Sequence, residues 1–442
     1  MSLQKSAMQA RLAKLPMLPP MPPPSNAPTN EDEEEDNEED ETDGLGELPS
    51  LAIAGSGGTA ASGTSSSSSS TTSSVPPPRR RTSKTSNMDL SPLSASTHFD
   101  QAVQVAVPDA DLDVRVYITA PVPTDDSTGS IMVFHHGAGY SALSFAVLAK
   151  EITQSTGGEC GVLAFDARAH GKTTSLSNPG FDPPELDLTI DRLTQDTVDL
   201  LTTVFPNTET APALILVGHS MGGAVLTRAS GTLIEKGYHV GGIAVLDVVE
   251  GSAMDALPIM HHLLESRPEG FPTQERAVEW HVTGQTGSTI QNVYSARLSV
   301  PSLVVPSTPE EVEAGKPAWK WRTPLKSTAP FWEGMRSIPT GRLRGTKGRD
   351  SHFGSSLGWF RGLSQAFLTA RTARLLILAG TDRLDQTLMI GQMQGKFQLD
   401  VVPNVGHMLH EDDPVRIAET LVRFWKRNER LILPNVKKVG QA

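Results

Sequence analysis

Gly218-His219-Ser220-Met221-Gly222 sets a serine two residues from a glycine on either side. That spacing suits a hydroxyl carried on a sharp strand-to-helix turn. The pentapeptide alone is weak evidence in a chain of 442 residues, so its setting has to be weighed. Residues 213–217 are continuously apolar and read as a buried strand directly before it, and residues 223–228 read as a helix directly after it. The glycines are what a strained turn with closely packed flanks requires, and the amino end of the helix favours negative charge. Ser220 is the candidate nucleophile, and the chemistry is acyl transfer.

A serine hydroxyl needs a base. His261, His262, His281, His352, His407 and His410 all follow the elbow. His407 stands just beyond the last predicted strand, in Asn404-Val405-Gly406-His407, where a serine–acid–histidine chain order puts the base. His410 lies closer to the final helix and reads as support for the loop. For the acid, Asp382 follows residues 375–380 and Asp247 ends the strand at 243–246, one strand earlier. Both fall at the same sheet edge, and spacing alone does not choose between them. Asp385 and Glu250 read as turn or surface residues. The oxyanion of a tetrahedral intermediate needs two backbone donors. Met221 N–H, just after the nucleophile, is one candidate. Ala138, in His135-His136-Gly137-Ala138-Gly139, is the other, with Gly137 as a further contributor.

These residues need a scaffold. Val103, Val105 and Val107 alternate, as do Val114, Val116 and Ile118 beyond a Pro-Asp-Ala-Asp turn, which predicts a β-hairpin. Short apolar runs at 131–134, 161–165, 213–217, 243–246, 375–379 and 397–402 fit strands covered on both faces. Most are separated by enough chain for a crossover helix. Asp413 and Pro414 start a last helix whose Ile417, Leu421, Phe424 and Trp425 form one stripe. The expected fold is α/β, of the α/β-hydrolase type: a mainly parallel sheet flanked by helices. Residues 250–372 exceed one crossover and predict a helical cap over the carboxyl edge of the sheet, with a surface insertion at 334–357.

Composition divides the chain. Residues 1–98 hold a proline cluster, an acidic run, a serine tract and Pro76-Pro77-Pro78-Arg79-Arg80-Arg81, and read as a disordered tail. The hydrolase domain is then expected at 99–428 and a C-terminal tail at 429–442. Eleven carboxylates in residues 31–43 account for nearly all of the formal net charge of −12, so the remainder is close to neutral. Neither nucleic acid nor an anionic membrane is indicated as a partner. The one cysteine, Cys160, excludes an intrachain disulfide and reads as a buried thiol. No apolar run approaches the roughly 18 residues a membrane span needs, and the start lacks the apolar core of a secretion signal. The expected setting is intracellular, cytoplasmic or nuclear.

Longer stretches carry a resemblance. Residues 136–144 (HGAGYSALS), 218–224 (GHSMGGA), 247–257 (DVVEGSAMDAL), 378–385 (LAGTDRLD) and 390–398 (IGQMQGKFQ), with Gly406-His407 and His410-Glu411-Asp412, resemble the protein phosphatase methylesterases over about residues 99–428. The resemblance implies that Asp247 is the acid, leaving Asp382 structural or at the pocket edge. It also implies an esterase that removes the methyl ester from the C-terminal leucine of the type 2A protein phosphatase catalytic subunit and binds that subunit around its active site. No metal or organic cofactor is implied. Residues 334–357 depart from the family pattern, and Ala138 stands where a third glycine is common.

Overall fold

The structure is a computed structural model that describes residues 88–122, 128–178, 186–284, 289–334, 358–380 and 384–429. Its first two strands, β1 (Gln101–Val107) and β2 (Leu112–Thr119), form the expected antiparallel hairpin, with Val103 opposite Val116 and Val105 opposite Val114. The chain reverses through a 3₁₀ turn over Pro108–Ala110 and a left-handed Asp111, whose φ is 53°. An aspartate tolerates that conformation better than most residues do.

Six further strands complete the principal path of the sheet: β3 (Ser130–His135), β4 (Cys160–Phe165), β5 (Ala213–His219), β6 (Val240–Leu246), β7 (Ala373–Leu378) and β8 (Gln398–Val401). The order is β1-β2-β4-β3-β5-β6-β7-β8, with the two-residue strand Thr174–Ser175 paired to β2. From β4 to β8 every neighbouring pair is parallel, whereas β2 joins β4 antiparallel. All six apolar runs mark strands, and in the first five the side chains alternate between two cores, whereas β8, at the sheet edge, is half-buried along its length. In β3, Ile131 and Val133 enter one core while Met132 and Phe134 enter the other; in β5, Leu214 and Leu216 are opposed in the same way to Ile215 and Val217.

Helices close both faces. On one side α1 (Ala146–Ser155) supplies Leu148 and Ile152, joined by Ile417, Leu421, Phe424 and Trp425 of the last helix (Pro414–Asn428). The start of that last helix is as expected: Asp413 accepts the N–H of Arg416 at 3.1 Å and Pro414 opens the first turn. On the other side lie α2 (Ile190–Val204) and α3 (Met221–Glu235), the latter following β5 directly.

Residues between β6 and β7 include α4 (Glu250–Ser266), α5 (Gln274–Thr283), α6 (Val293–Ser299), α7 (Leu325–Glu333) and α8 (Leu363–Thr369). They also form a three-stranded antiparallel sheet, Gly270–Phe271, Trp319–Trp321 and Val304–Pro306, that the helical expectation omitted. Strands of two and three residues are too short to show alternation. Except for Gly334, the insertion at 334–357 lies outside the described residues, as do residues 1–87 and 430–442. The described chain begins ahead of the expected boundary at 99. Asp89 pairs with Arg297 at 2.7 Å, Leu93 N–H donates to the Arg297 carbonyl, and His98 is buried. Among the described residues no helix is long and apolar enough to cross a membrane.

Candidate active site

Strand order decides where a ligand can sit. β3 leads to β4 on one side, and β5 leads to β6 on the other, so the strand order reverses between β3 and β5, the point at whose carboxyl ends open α/β sheets bind ligands. Ser220 stands at the end of β5, and residues 136–139 leave the end of β3. A Cβ built on Gly137 would lie 3.3 Å from Ser220 Cβ, so the two segments touch.

Ser220 has φ 50° and ψ −118°, a strained conformation for a side chain with a Cβ. Two glycines make the turn possible. A Cβ on Gly218 would sit 2.3 Å from the Gly222 carbonyl oxygen, and one on Gly222 would sit 2.1 Å from that of His135. The Ser220 N–H donates to the Leu246 carbonyl at 3.1 Å, tying the elbow to the next strand. Ser220 itself is half-buried and opens α3, so the amide of Met221 is at a helix position with no intrahelical partner. The Ser220 hydroxyl makes no hydrogen bond among the described residues. Such contacts often close only when substrate binds.

The structure brings His407 and Asp247 together. His407 Nδ1 lies 2.7 Å from Asp247 Oδ2, with the carboxylate fully buried and the imidazole 44% exposed. Donation from Nδ1 to a carboxylate leaves the Nε2 lone pair available as a base. Asp247 follows β6 with φ 49°. Its N–H donates to Ile377 and its Oδ1 accepts from Ala379 N–H at 3.0 Å, so β7 holds it at both ends. Asp382 lies outside the described residues.

Asp385 and Glu250 turn out to join helices. Asp385 caps a helix at Gln386–Met393 through Leu388 N–H, while Glu250 accepts from the N–H groups of Gly362 and Ser364 at the start of α8. The remaining histidines divide by environment. His261 and His262 lie on α4, His281 is buried and bonds the Ala277 carbonyl, and His352 lies outside the described residues. His410 is buried between Phe145 and His219, with centroids at 4.5 and 4.6 Å. Burial holds it well below the usual histidine range, so it packs as a neutral ring beside the His407 loop.

Sequence reasoning missed a set of positioning groups. His219 donates from Nε2 to the His407 carbonyl at 2.9 Å, so the residue beside the nucleophile also fixes the base. Burial, and then the neighbouring His407, push its pKa down to about 3. Asp412 accepts from Gly406 N–H at 2.7 Å and from Gln291 N–H at 2.8 Å, bracing the same loop against the cap region between β6 and β7. Polar residues flanking apolar runs were the available signal, but their partners are far away in sequence.

A half-buried serine on a strained turn, beside a buried carboxylate–imidazole pair at the switch point of an α/β sheet, defines a hydrolase of the α/β class. The Alpha/beta hydrolase family matches residues 132–420. A crystal structure of E-2-(acetamidomethylene)succinate hydrolase superposes with a TM-score of 0.51 at 16% identity, covering 74% of this chain and 99% of that one, which bears on the fold alone. Protein phosphatase methylesterase 1 of Cryptococcus neoformans (strain B-3501A) is 44% identical over 81% of this chain and 83% of its own. The protein of that name from Emericella nidulans is 45% identical over 76% and 77%. The chain belongs to the protein phosphatase methylesterase family and is a hydrolase of the esterase type.

Proposed function

We propose that this chain removes the methyl ester from the C-terminal leucine of the type 2A protein phosphatase catalytic subunit, with Ser220, Asp247 and His407 as its triad. The 2.7 Å contact of His407 with the buried Asp247, next to the Ser220 elbow, is the observation that carries the reading. The names of the relatives support the substrate.

The proposed reaction is acyl transfer through a serine ester. His407 Nε2 takes the Ser220 proton as Oγ attacks the ester carbonyl. Asp247 keeps the Nδ1 proton in place and stabilises the imidazolium. The amides of Met221 and Ala138 receive the oxyanion. His407 then returns the proton to the departing methoxide, releasing methanol. Water, deprotonated by His407, attacks the acyl carbonyl; the bond to Ser220 Oγ then breaks, His407 returns the proton to Oγ, and the carboxylate is freed.

The test is incubation of purified chain with the methylated phosphatase catalytic subunit, reading loss of the ester. Wild type should demethylate it and Ser220→Ala should not. Demethylation by Ser220→Ala would overturn the mechanism. Cleavage of small esters with the phosphatase ester left intact would overturn the substrate and leave a general esterase.

A further inference from the structure

Residues 136–139 and the turn at 166–171 leave neighbouring strands, β3 and β4, at the same sheet edge, and the two segments exchange histidines. His136 Nε2 accepts the N–H of Ala167 at 3.0 Å, and His170 Nε2 accepts the N–H of Gly139 at 3.0 Å. Each ring also bonds a carbonyl in its own segment through Nδ1: His136 with Gly137 and His170 with Arg168, both at 2.8 Å. A carbonyl only accepts and an amide N–H only donates, so each ring is a neutral imidazole with its proton on Nδ1. Both are buried; burial pushes His170 down to about 4 and holds His136 well below its usual range. Asp166 adds a third tie, accepting from Ala142 N–H and Lys172 N–H at 2.8 Å each.

The consequence falls on Ala138. A trans peptide is planar, and its C=O and N–H point in opposite directions. The Gly137 carbonyl and the Ala138 N–H share one such plane, so the bond from His136 sets the direction of the Ala138 N–H. The Gly139 N–H shares the next plane with the Ala138 carbonyl, and the bond to His170 sets that one. Both planes flanking Ala138 are therefore held by buried rings.

We propose that His136 and His170 are positioning residues for ester hydrolysis, fixing the peptide planes around Ala138 so that its N–H faces the developing oxyanion. The proposal rests on the Ser220 reading above. An oxyanion donor contributes when it is already aimed as charge develops. Its misalignment therefore lowers kcat and leaves substrate binding nearly intact.

Paired variants of the full chain test this on 4-nitrophenyl acetate, with the folded fraction read by circular dichroism. His136→Asn keeps a donor near the Nδ1 position, and His136→Leu, of similar size, does not. His170→Gln keeps an acceptor near the Nε2 position, and His170→Met does not. The Leu and Met variants should lose about a hundredfold in kcat per folded molecule. Their KM should stay within about threefold, and the Asn and Gln partners should recover most of the loss. The two pairs are independent, so one pair that folds is enough. Equal kcat within a folded pair, in an enzyme that Ser220→Ala inactivates, would overturn the positioning alone. Hydrolysis surviving in Ser220→Ala would overturn the nucleophile assignment and this proposal with it.

Discussion

Asp247 and Ser220 both occupy left-handed backbone where glycine would be more comfortable, with φ of 49° and 50°. Neighbouring strands hold them there: Ile377 O takes the Asp247 amide and Leu246 O takes that of Ser220. Strain of this kind persists only where surroundings over-determine it, and here it lifts both side chains to the sheet edge. The acid assignment is open to a direct comparison. Asp247→Asn should lower kcat by about 10⁴-fold by favouring the wrong His407 tautomer, whereas Asp382→Asn should cost far less. Steady-state kinetics of the two variants decide it, and the reverse ranking would make Asp382 the acid. The glycines give a second prediction at this scale. Gly222→Ala should abolish activity and reduce soluble yield, since its Cβ would meet the His135 backbone at 2.1 Å.

Among the elements, carboxylates near the site do different work according to what they face. Asp385 accepts Leu388 N–H at 2.8 Å as a helix cap and takes no part in the His407 pair. Asp385→Ala should therefore cost about 1–2 kcal/mol of stability in urea denaturation and leave kcat within about threefold. A loss of kcat matching that of Asp247→Asn would give it a place in the chemistry. The last helix behaves as its pattern foretold, because its stripe is regular and its cap residue adjoins a proline. The fully buried Leu421 is typical, and Leu421→Ala should cost about 2–5 kcal/mol, read as a lower denaturation midpoint. The small sheet of the cap region was not legible, since its strands are two or three residues long and pair Trp319 with Phe271 and Pro306, 48 and 13 positions away.

For the molecule as a whole, buried neutral histidines make acid a denaturant. Burial lowers His135, His170 and His281 from 6.5 to about 4, and His219 to about 3. Between pH 6.5 and these values the unfolded chain binds protons that the folded chain refuses. Stability is thus fully present above about pH 6.5 and is lost as pH falls through 4. Each such group steepens the loss by about 1.4 kcal/mol per pH unit. Denaturation midpoints measured from pH 7 to 4 should fall steeply, and His281→Gln should flatten the slope by one proton. A midpoint independent of pH across this range would contradict the neutral, buried assignment.

By itself the sequence determined the elbow, the strands and the last helix, because these depend on local spacing: glycines two residues either side of Ser220, apolar runs of four to six residues, and a capped stripe. It also made His407 the candidate base by its place after the last strand. It did not choose between Asp247 and Asp382 by spacing; that choice came from the resemblance of residues 247–257. Only the tertiary structure put the Asp247 carboxylate 2.7 Å from His407 Nδ1 and gave His136, His170 and His219 their partners. Those bonds span from 31 to 188 residues of chain. They exist because a parallel sheet brings the ends of distant strands to one edge, which local patterning does not encode.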